Sequence, residues 1–149
     1  MSYYLGAAAR EKASRVWIVF EDTGNPAVKA AEAALKAQGI EVRMQSGALG
    51  ADLSIVMSAR CLVGSFGSFC LAAAALSRRT RKLYQFGPPI PALQHLGIAI
   101  CEGVDIPGDY RRAVTSNNWT ASPAQLELML SYPRKAIGFV DHSAVAPDR

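Results

Sequence analysis

Apolar positions in the first 86 residues fall into alternating short runs and helical stripes. Residues 15 to 20, RVWIVF, form the continuous β-rich run expected of a strand covered on both faces. The next residues, EDTGNP, hold a turn and a helix start. Asn25 suits an N-cap, Pro26 the first helical position, and Gly39, after Gln38, the close of the helix. Between them Val28, Ala31 and Leu35 share one face, while Glu32 and Lys36 form a favourable pair four residues apart outside it. IEVRM, residues 40 to 44, predicts a second strand. Gly47 to Gly50 then turns the chain into ADLSIVMSAR, a short helix with Leu53, Val56 and Met57 facing inward. CLVG, residues 61 to 64, predicts a third strand, followed by an alanine-rich helix to about Arg79 and a fourth strand, KLYQF, over residues 82 to 86. Strands and helices alternating at this spacing imply parallel βαβ units, and the expected fold class is α/β.

After Phe86 the pattern changes. GPPIPALQH reads as irregular, and LGIAIC, residues 96 to 101, as a further strand. Ser122-Pro123-Ala124-Gln125 is a Ser-x-x-Gln capping box with proline in the first helical position, which predicts a helix from Pro123 to about Tyr132. The stretch from Pro133 to Arg149 carries no legible pattern. The domain expectation is therefore a ligand-binding α/β domain over residues 1–100 and a C-terminal extension over 101–149. The extension would carry one helix packed on the domain or be partly irregular.

Composition narrows the classes. A chain of 149 residues can bury roughly 70% of its unfolded surface, enough for a core of its own. Half of the residues are hydrophobic and 19% are charged, which is ordinary globular composition. The net charge of +4 suits an anionic ligand, but no basic stripe interleaved with aromatics supports a nucleic-acid partner. Cys61, Cys70 and Cys101 show no C-x-x-C spacing, and with two of them in apolar context, one on a strand and one on a helix, they read as buried reduced thiols. With only His95 and His142 available, no zinc-ligand set is visible and no metal is expected. MSYYLGAAAREKASR lacks the signal-peptide pattern, and no apolar run approaches the length of a membrane span, so neither an export signal nor a membrane segment is expected in this chain. Asn118-Trp119-Thr120 matches a glycosylation sequon, relevant only to a secretory parent protein, and the compartment stays open.

The chemistry concentrates in GSFGSF, residues 64 to 69, between the third strand and its helix. Ligands of parallel α/β sheets bind beyond the carboxyl ends of the strands, and a helix N-terminus there offers N–H groups and partial positive charge to a phosphate. Gly64 and Gly67 remove side chains that would block close approach, and Ser65 and Ser68 add hydroxyl donors. A tight βα turn with a serine N-cap accounts for the same residues. The segment matches neither G-x-G-x-x-G nor a P-loop. Asp52, near a helix start, either complements the helix dipole or accepts a hydrogen bond from a base or sugar. Glu21 and Asp22 close the first strand at the same expected edge, as an acid–base pair or as a polar turn. Arg78, Arg79, Arg81 and Lys82 read as a solvated helix end, Tyr3, Tyr4 and Trp17 as packing residues, and His95 and His142 as histidines without a partner for a triad.

Taken in order, RVWIVFEDTGNP, GADLSIVMSARCLVGSFGSFCLAAAALS and KLYQF resemble the C-terminal half of fucosyltransferase-type glycosyltransferases, over about Ser2 to Phe86. The group comprises protein O-fucosyltransferases, nodulation fucosyltransferases and α-1,2-fucosyltransferases. The shared pattern is a strand ending in an acidic residue, a helix, and an Asp-Leu opening a short helix. A small-residue turn with Ser-Phe follows about sixteen positions later, then an alanine-rich helix ending in Leu-Ser. The resemblance implies a Rossmann-like parallel sheet with flanking helices, the donor-binding half of a GT-B fold. It also implies GDP-fucose as donor, with no further cofactor. Asp52 would then contact the guanine end, and Ser68-Phe69 the diphosphate. With the turn residues the implied substrate-binding set is Asp52, Gly64, Ser65, Gly67, Ser68, Phe69 and Asp22, with catalytic residues unassigned. The family's His-x-Arg-x-Gly segment, whose arginine balances the leaving diphosphate, has no counterpart in these 149 residues. The expectation is a donor-binding half that does not transfer sugar alone and whose partners are an N-terminal catalytic half and an acceptor glycan or protein. Two other readings stand beside it: a non-catalytic nucleotide or interaction module, and a different α/β enzyme acting on a sugar phosphate.

Overall fold

The structure is a computed structural model that describes residues 1–64, 67–114 and 120–144. In chain order the first half holds α1 (Ser2–Arg10), β1 (Arg15–Val19), α2 (Pro26–Lys36), β2 (Glu41–Gln45), α3 (Leu49–Ser58), β3 (Cys61–Val63), α4 (Phe69–Leu76) and β4 (Lys82–Phe86). The second half adds α5 (Pro91–His95), β5 (Ala99–Asp105), α6 (Asp109–Val114), α7 (Pro123–Ser131), a 3-10 turn over Arg134–Ala136 and β6 (Ile137–His142). The strands pair in two sheets, β1-β2 and β3-β4-β5-β6, and β1–β2, β3–β4 and β4–β5 all run parallel. The fold is thus mixed α/β with a parallel-rich sheet flanked by helices, compatible with a Rossmann-like arrangement. Its two compact units are discontinuous in sequence: Met1–Ser46 with Asp105–Gly138, and Gly47–Val104 with Phe139–Arg149.

In the first unit, Ala8 of α1, Leu35 of α2 and Ile40 form a core against which Leu5, Val16, Ile18 and Val42 pack. Only one face of the β1–β2 pair is covered, which corrects the expectation that RVWIVF is buried on both faces. Trp17 is 42% exposed. The parallel register sets Arg15 beside Glu41 and Trp17 beside Arg43 on the open face. Glu41 there accepts from Arg15 Nε at 2.7 Å and from Arg43 Nε at 2.8 Å, and the Arg43 guanidinium lies 5.5 Å from the Trp17 ring centre. The β-rich composition of the run says strand. The number of layers depends on which helices pack against it.

Local signals were obeyed closely. Asn25 Oδ1 accepts from Ala27 N at 3.0 Å as the N-cap of α2. Lys36 Nζ donates to Glu32 at 2.7 Å. Ser122 and Gln125 close the reciprocal capping box of α7, with Gln125 N donating to Ser122 Oγ at 3.3 Å and Ser122 N to Gln125 Oε1 at 3.2 Å. Helix α4 stops at Leu76 rather than near Arg79. Ser77 Oγ accepts from the backbone N–H groups of Arg79 and Thr80, both at 3.1 Å, and donates to the Met57 carbonyl at 2.6 Å, which draws the chain off the helix. The proline-rich stretch expected to be irregular contains α5, with Pro91 in its first turn where no N–H is required. Strand β5 starts at Ala99 rather than Leu96, because the N–H groups of Leu96, Gly97 and Ile98 close α5. The patternless C-terminal stretch contributes β6.

The first unit also buries a phenol. Tyr132 is 7% exposed and donates its hydroxyl to the Asp105 carboxylate, which also accepts from Arg111 N at 2.8 Å. Burial and then this carboxylate push the Tyr132 phenol from 10.0 up to about 12. A folded-state value above the unfolded one gives stability that is present in full below pH 10.0 and disappears as the pH rises toward about 12. An ultraviolet tyrosinate titration should therefore show the Tyr132 phenol ionising late, beside that of Tyr110, which burial and then Asp105 also raise, together with a fall in denaturation midpoint over that window. In Tyr132→Phe one late-ionising phenol should be lost and the alkaline fall should shrink. An unchanged titration curve would contradict the assignment.

Candidate binding site at the carboxyl ends of β3 and β4

The core of the second unit lies around β4, where Leu83 and Tyr84 are fully buried beside Ile100 and Cys101 of β5. Cys61 and Cys70 are partly buried. Gly64 N donates to the Tyr84 carbonyl at 2.9 Å and carries the pairing one step past the end of β3. A Cβ on Gly64 would sit 3.1 Å from Cys70 Cβ and 3.5 Å from the Tyr84 carbonyl oxygen, so this glycine lets the first turn of α4 approach the sheet. Ser65 and Phe66 lie outside the described residues. Gly67 adopts φ +127°, a backbone region that side-chain-bearing residues rarely enter, and among the described residues other than its chain neighbours nothing lies within 4 Å of where its Cβ would be.

Ser68 occupies the N-cap position of α4, yet its side chain makes no cap hydrogen bond, and both Ser68 and Phe69 are exposed. Capping, the simplest structural reason for a serine at that position, is thus not how this serine is used.

Beside this turn a pocket of about 200 Å³ opens between the start of α4 and the segment that follows β4. Gly67 and Leu71 line one side; Gln85, Phe86, Gly87, Pro88 and Ile90 line the other. None of these residues carries a charge. Arg60 and Arg81 are joined across the opposite, amino ends of β3 and β4, where Arg81 N donates to the Arg60 carbonyl at 2.8 Å. Arg78, Arg79 and Arg81 are all exposed there, as a solvated helix end requires.

Of the sequence-selected residues, Gly64, Gly67, Ser68 and Phe69 come together on the β3–α4 connection. Asp52, on the first turn of α3, is 6% exposed and does not line the pocket. Asp22 belongs to the other compact unit, where its Oδ1 accepts from Gly24 N at 2.8 Å in an exposed turn. His142, expected to lack a partner, has one: its Nε2 lies 3.1 Å from Glu102 Oε2. Glu102 is in turn the register neighbour of Gln85 on β4, so the ends of these strands present a row of polar side chains.

Of the pocket's lining residues the sequence reading had selected only Gly67, and Gln85 is the polar side chain among those it passed over. The available signal was its place at a strand end immediately before Phe-Gly-Pro. Among the described residues no three His, Cys, Asp or Glu side chains gather as a metal site would need, and no helix is long and apolar enough to cross a membrane. Compared with known family models, curated proteins and solved structures, the chain matches none.

Proposed function

We propose that the chain binds a nucleotide sugar of the GDP-fucose class on the β3–α4 connection, as the donor-holding half of a glycosyltransferase that delivers the sugar to a hydroxyl. The observation that carries this reading is the combination of Gly67 at φ +127° with an exposed Ser68 that does not cap its own helix. Both stand at the carboxyl ends of parallel strands. A diphosphate laid against that turn would meet backbone N–H groups at a helix N-terminus, with the Ser68 hydroxyl as a further donor. The dipole contributes only about 0.3–1 kcal/mol, so the affinity is a sum over several such contacts.

Transfer would form a bond from the acceptor oxygen to the anomeric carbon as the bond to the diphosphate breaks. The acceptor proton goes to a base, and the developing negative charge on the leaving diphosphate requires a cation or an acid. The arginines around β3 and β4 stand at the opposite strand ends, and among the described residues no charged side chain lines the pocket. Binding is therefore assigned to this chain, and charge compensation to the catalytic half. The reading as a non-catalytic binding module shares the binding step and is favoured by the same uncharged lining. It parts from the first when a complementing half is supplied, since it then predicts no transfer.

Calorimetric titration with GDP, GDP-fucose and UDP should give selective binding of the guanosine ligands. Gly67→Val, which places a β-branched side chain in a conformation costing about 1–3 kcal/mol, should weaken that binding by an order of magnitude or more. Ser68→Ala should weaken it several-fold. A cooperatively melting wild-type protein that takes up none of the three ligands would end the proposal.

A further inference from the structure

We infer that the end of the second unit where α3 and α4 finish docks on an anionic lipid bilayer, with Arg60, Arg78, Arg79 and Arg81 on the headgroups and Leu76 inserted beside them. This surface is independent of the nucleotide reading and lies at the opposite ends of β3 and β4. Ser77 Oγ donates there to the Met57 carbonyl at 2.6 Å, and Thr80 Oγ1 to the Ala59 carbonyl at 3.1 Å. Arg81 N donates to the Arg60 carbonyl at 2.8 Å. These bonds hold the chain after α3 against the chain after α4 and gather the four arginines, all exposed, at one end. Among the described residues none of their guanidinium groups meets a carboxylate. The carboxylates described in this unit are engaged or buried elsewhere. Asp52 is 6% exposed, Glu102 pairs with His142, and Asp141 lies 3.5 Å from Lys82.

A solvated helix end accounts for arginines in water but not for Leu76. At 69% exposed it is the most open of the large apolar side chains described, and it directly precedes the turn that carries Arg78 and Arg79. It also ends a stripe. Phe69, Ala72 and Leu76 stand at i, i+3 and i+7 of α4, so they share one side of the helix, and all are exposed. Nor do the arginines offset helix dipoles, since neither α3 nor α4 has a basic residue in its last turn. Guanidinium groups beside an exposed apolar side chain match what a bilayer surface offers, anionic headgroups over acyl chains. An RNA backbone would use the arginines and leave Leu76 in water. No aromatic residue lies between positions 76 and 82 on which a base could stack. Each arginine at an anionic leaflet contributes about fivefold to partitioning, and four together roughly two to three orders of magnitude.

Flotation of the whole chain with vesicles checks this, using phosphatidylcholine alone and phosphatidylcholine with phosphatidylserine. Binding of single-stranded and duplex RNA is measured alongside. Wild type should float with the phosphatidylserine vesicles and not with the neutral ones, and added salt should weaken the binding. The double variant Arg78→Ala, Arg79→Ala should lose about twentyfold in vesicle affinity, whereas Arg78→Lys, Arg79→Lys, which keeps the charge, should lose little. Leu76→Ser should cost about tenfold at unchanged charge, which a purely electrostatic contact would not show. The three positions are exposed, and the Arg78 and Arg79 side chains make no hydrogen bond among the described residues, so the variants should melt as wild type does. Should the arginine variant fail to fold, the lipid preference and the Leu76→Ser loss still decide the matter.

A folded wild-type protein that stays off both vesicles, or floats equally with both, would overturn the inference. So would vesicle binding unchanged in either the arginine-to-alanine variant or Leu76→Ser. RNA binding that depends on Arg78 and Arg79, without flotation, would assign the patch to nucleic acid instead. Self-association lost in Leu76→Ser, again without flotation, would assign it to a second copy of the chain. Flotation with the expected losses, in a protein that takes up no guanosine ligand, would uphold the lipid surface and remove only the nucleotide reading.

Discussion

Leu83→Ala should destabilise the protein by about 2–5 kcal/mol, because it removes a fully buried side chain from a site that cannot collapse around the gap. Leu83 is 0% exposed on β4, with β3 on one side and β5 on the other. The register sets it beside Leu62 and Ile100, both of them buried. All three are backbone-paired strand residues, and helices flank the sheet, so relaxation would have to move paired strands. Domains are stable by about 5–15 kcal/mol in total, and a loss of this size leaves a measurable unfolded fraction under mild denaturant. Urea unfolding followed by circular dichroism checks it, with Leu83→Ile as the near-isosteric control at less than about 1.5 kcal/mol. A Leu83→Ala loss no larger than the control's would mean that β4 does not organise the core of its unit. Pocket binding should fall in parallel, since Gln85 and Phe86 continue the same strand.

Gly64→Ala should cost about 1–3 kcal/mol through overpacking, although it adds a single methyl group. The new carbon would lie 3.1 Å from Cys70 Cβ, which is rigidly attached to the first turn of α4. Either the helix start moves outward or the hydrogen bond from Gly64 N to the Tyr84 carbonyl stretches. A double-mutant cycle isolates the clash. Cys70→Gly alone should cost up to about 1 kcal/mol as a helix glycine, yet it should relieve part of the Gly64→Ala penalty, so that the double variant is more stable than the sum predicts. Strict additivity would show that the two positions do not meet. Because Gly67 and Leu71 flank this turn and line the pocket, Gly64→Ala should also weaken ligand binding beyond its effect on folding.

These two sites mark how far the residues could be read before folding. GSFGSF was legible as a special connection from its composition, since two glycines and two serines between a strand and a helix exceed what a turn needs. That Gly64 serves helix packing while Gly67 serves backbone conformation was not legible, because the distinction is a distance in one case and a dihedral angle in the other. The role of Gln85 was invisible for a similar reason. A glutamine at a strand end is ordinary in sequence and becomes informative only when its nitrogen is found donating to the Gly87 and Pro88 carbonyls of the next loop. Asp52 read as a helix-start carboxylate open to a ligand, and whether it is exposed depends on what covers α3.

The amino-acid sequence by itself determined the features governed by neighbours within about a helical turn. The Asn25-Pro26 start of α2, the capping box of α7 and both ends of KLYQF followed from hydrogen bonds and torsional preferences that span a few residues. Tertiary structure decided whatever joins distant positions. Glu102 and His142 meet across 40 residues, and the Ser2 hydroxyl reaches the Tyr132 carbonyl across 130. Residues 105–138 join 1–46 in one compact unit, and β6 forms from a segment with no pattern of its own. A strand or cap declares itself through local energetics. A partner does so only when burial makes an unpaired polar group or an uncovered apolar face costly, and that cost exists only once the chain has folded.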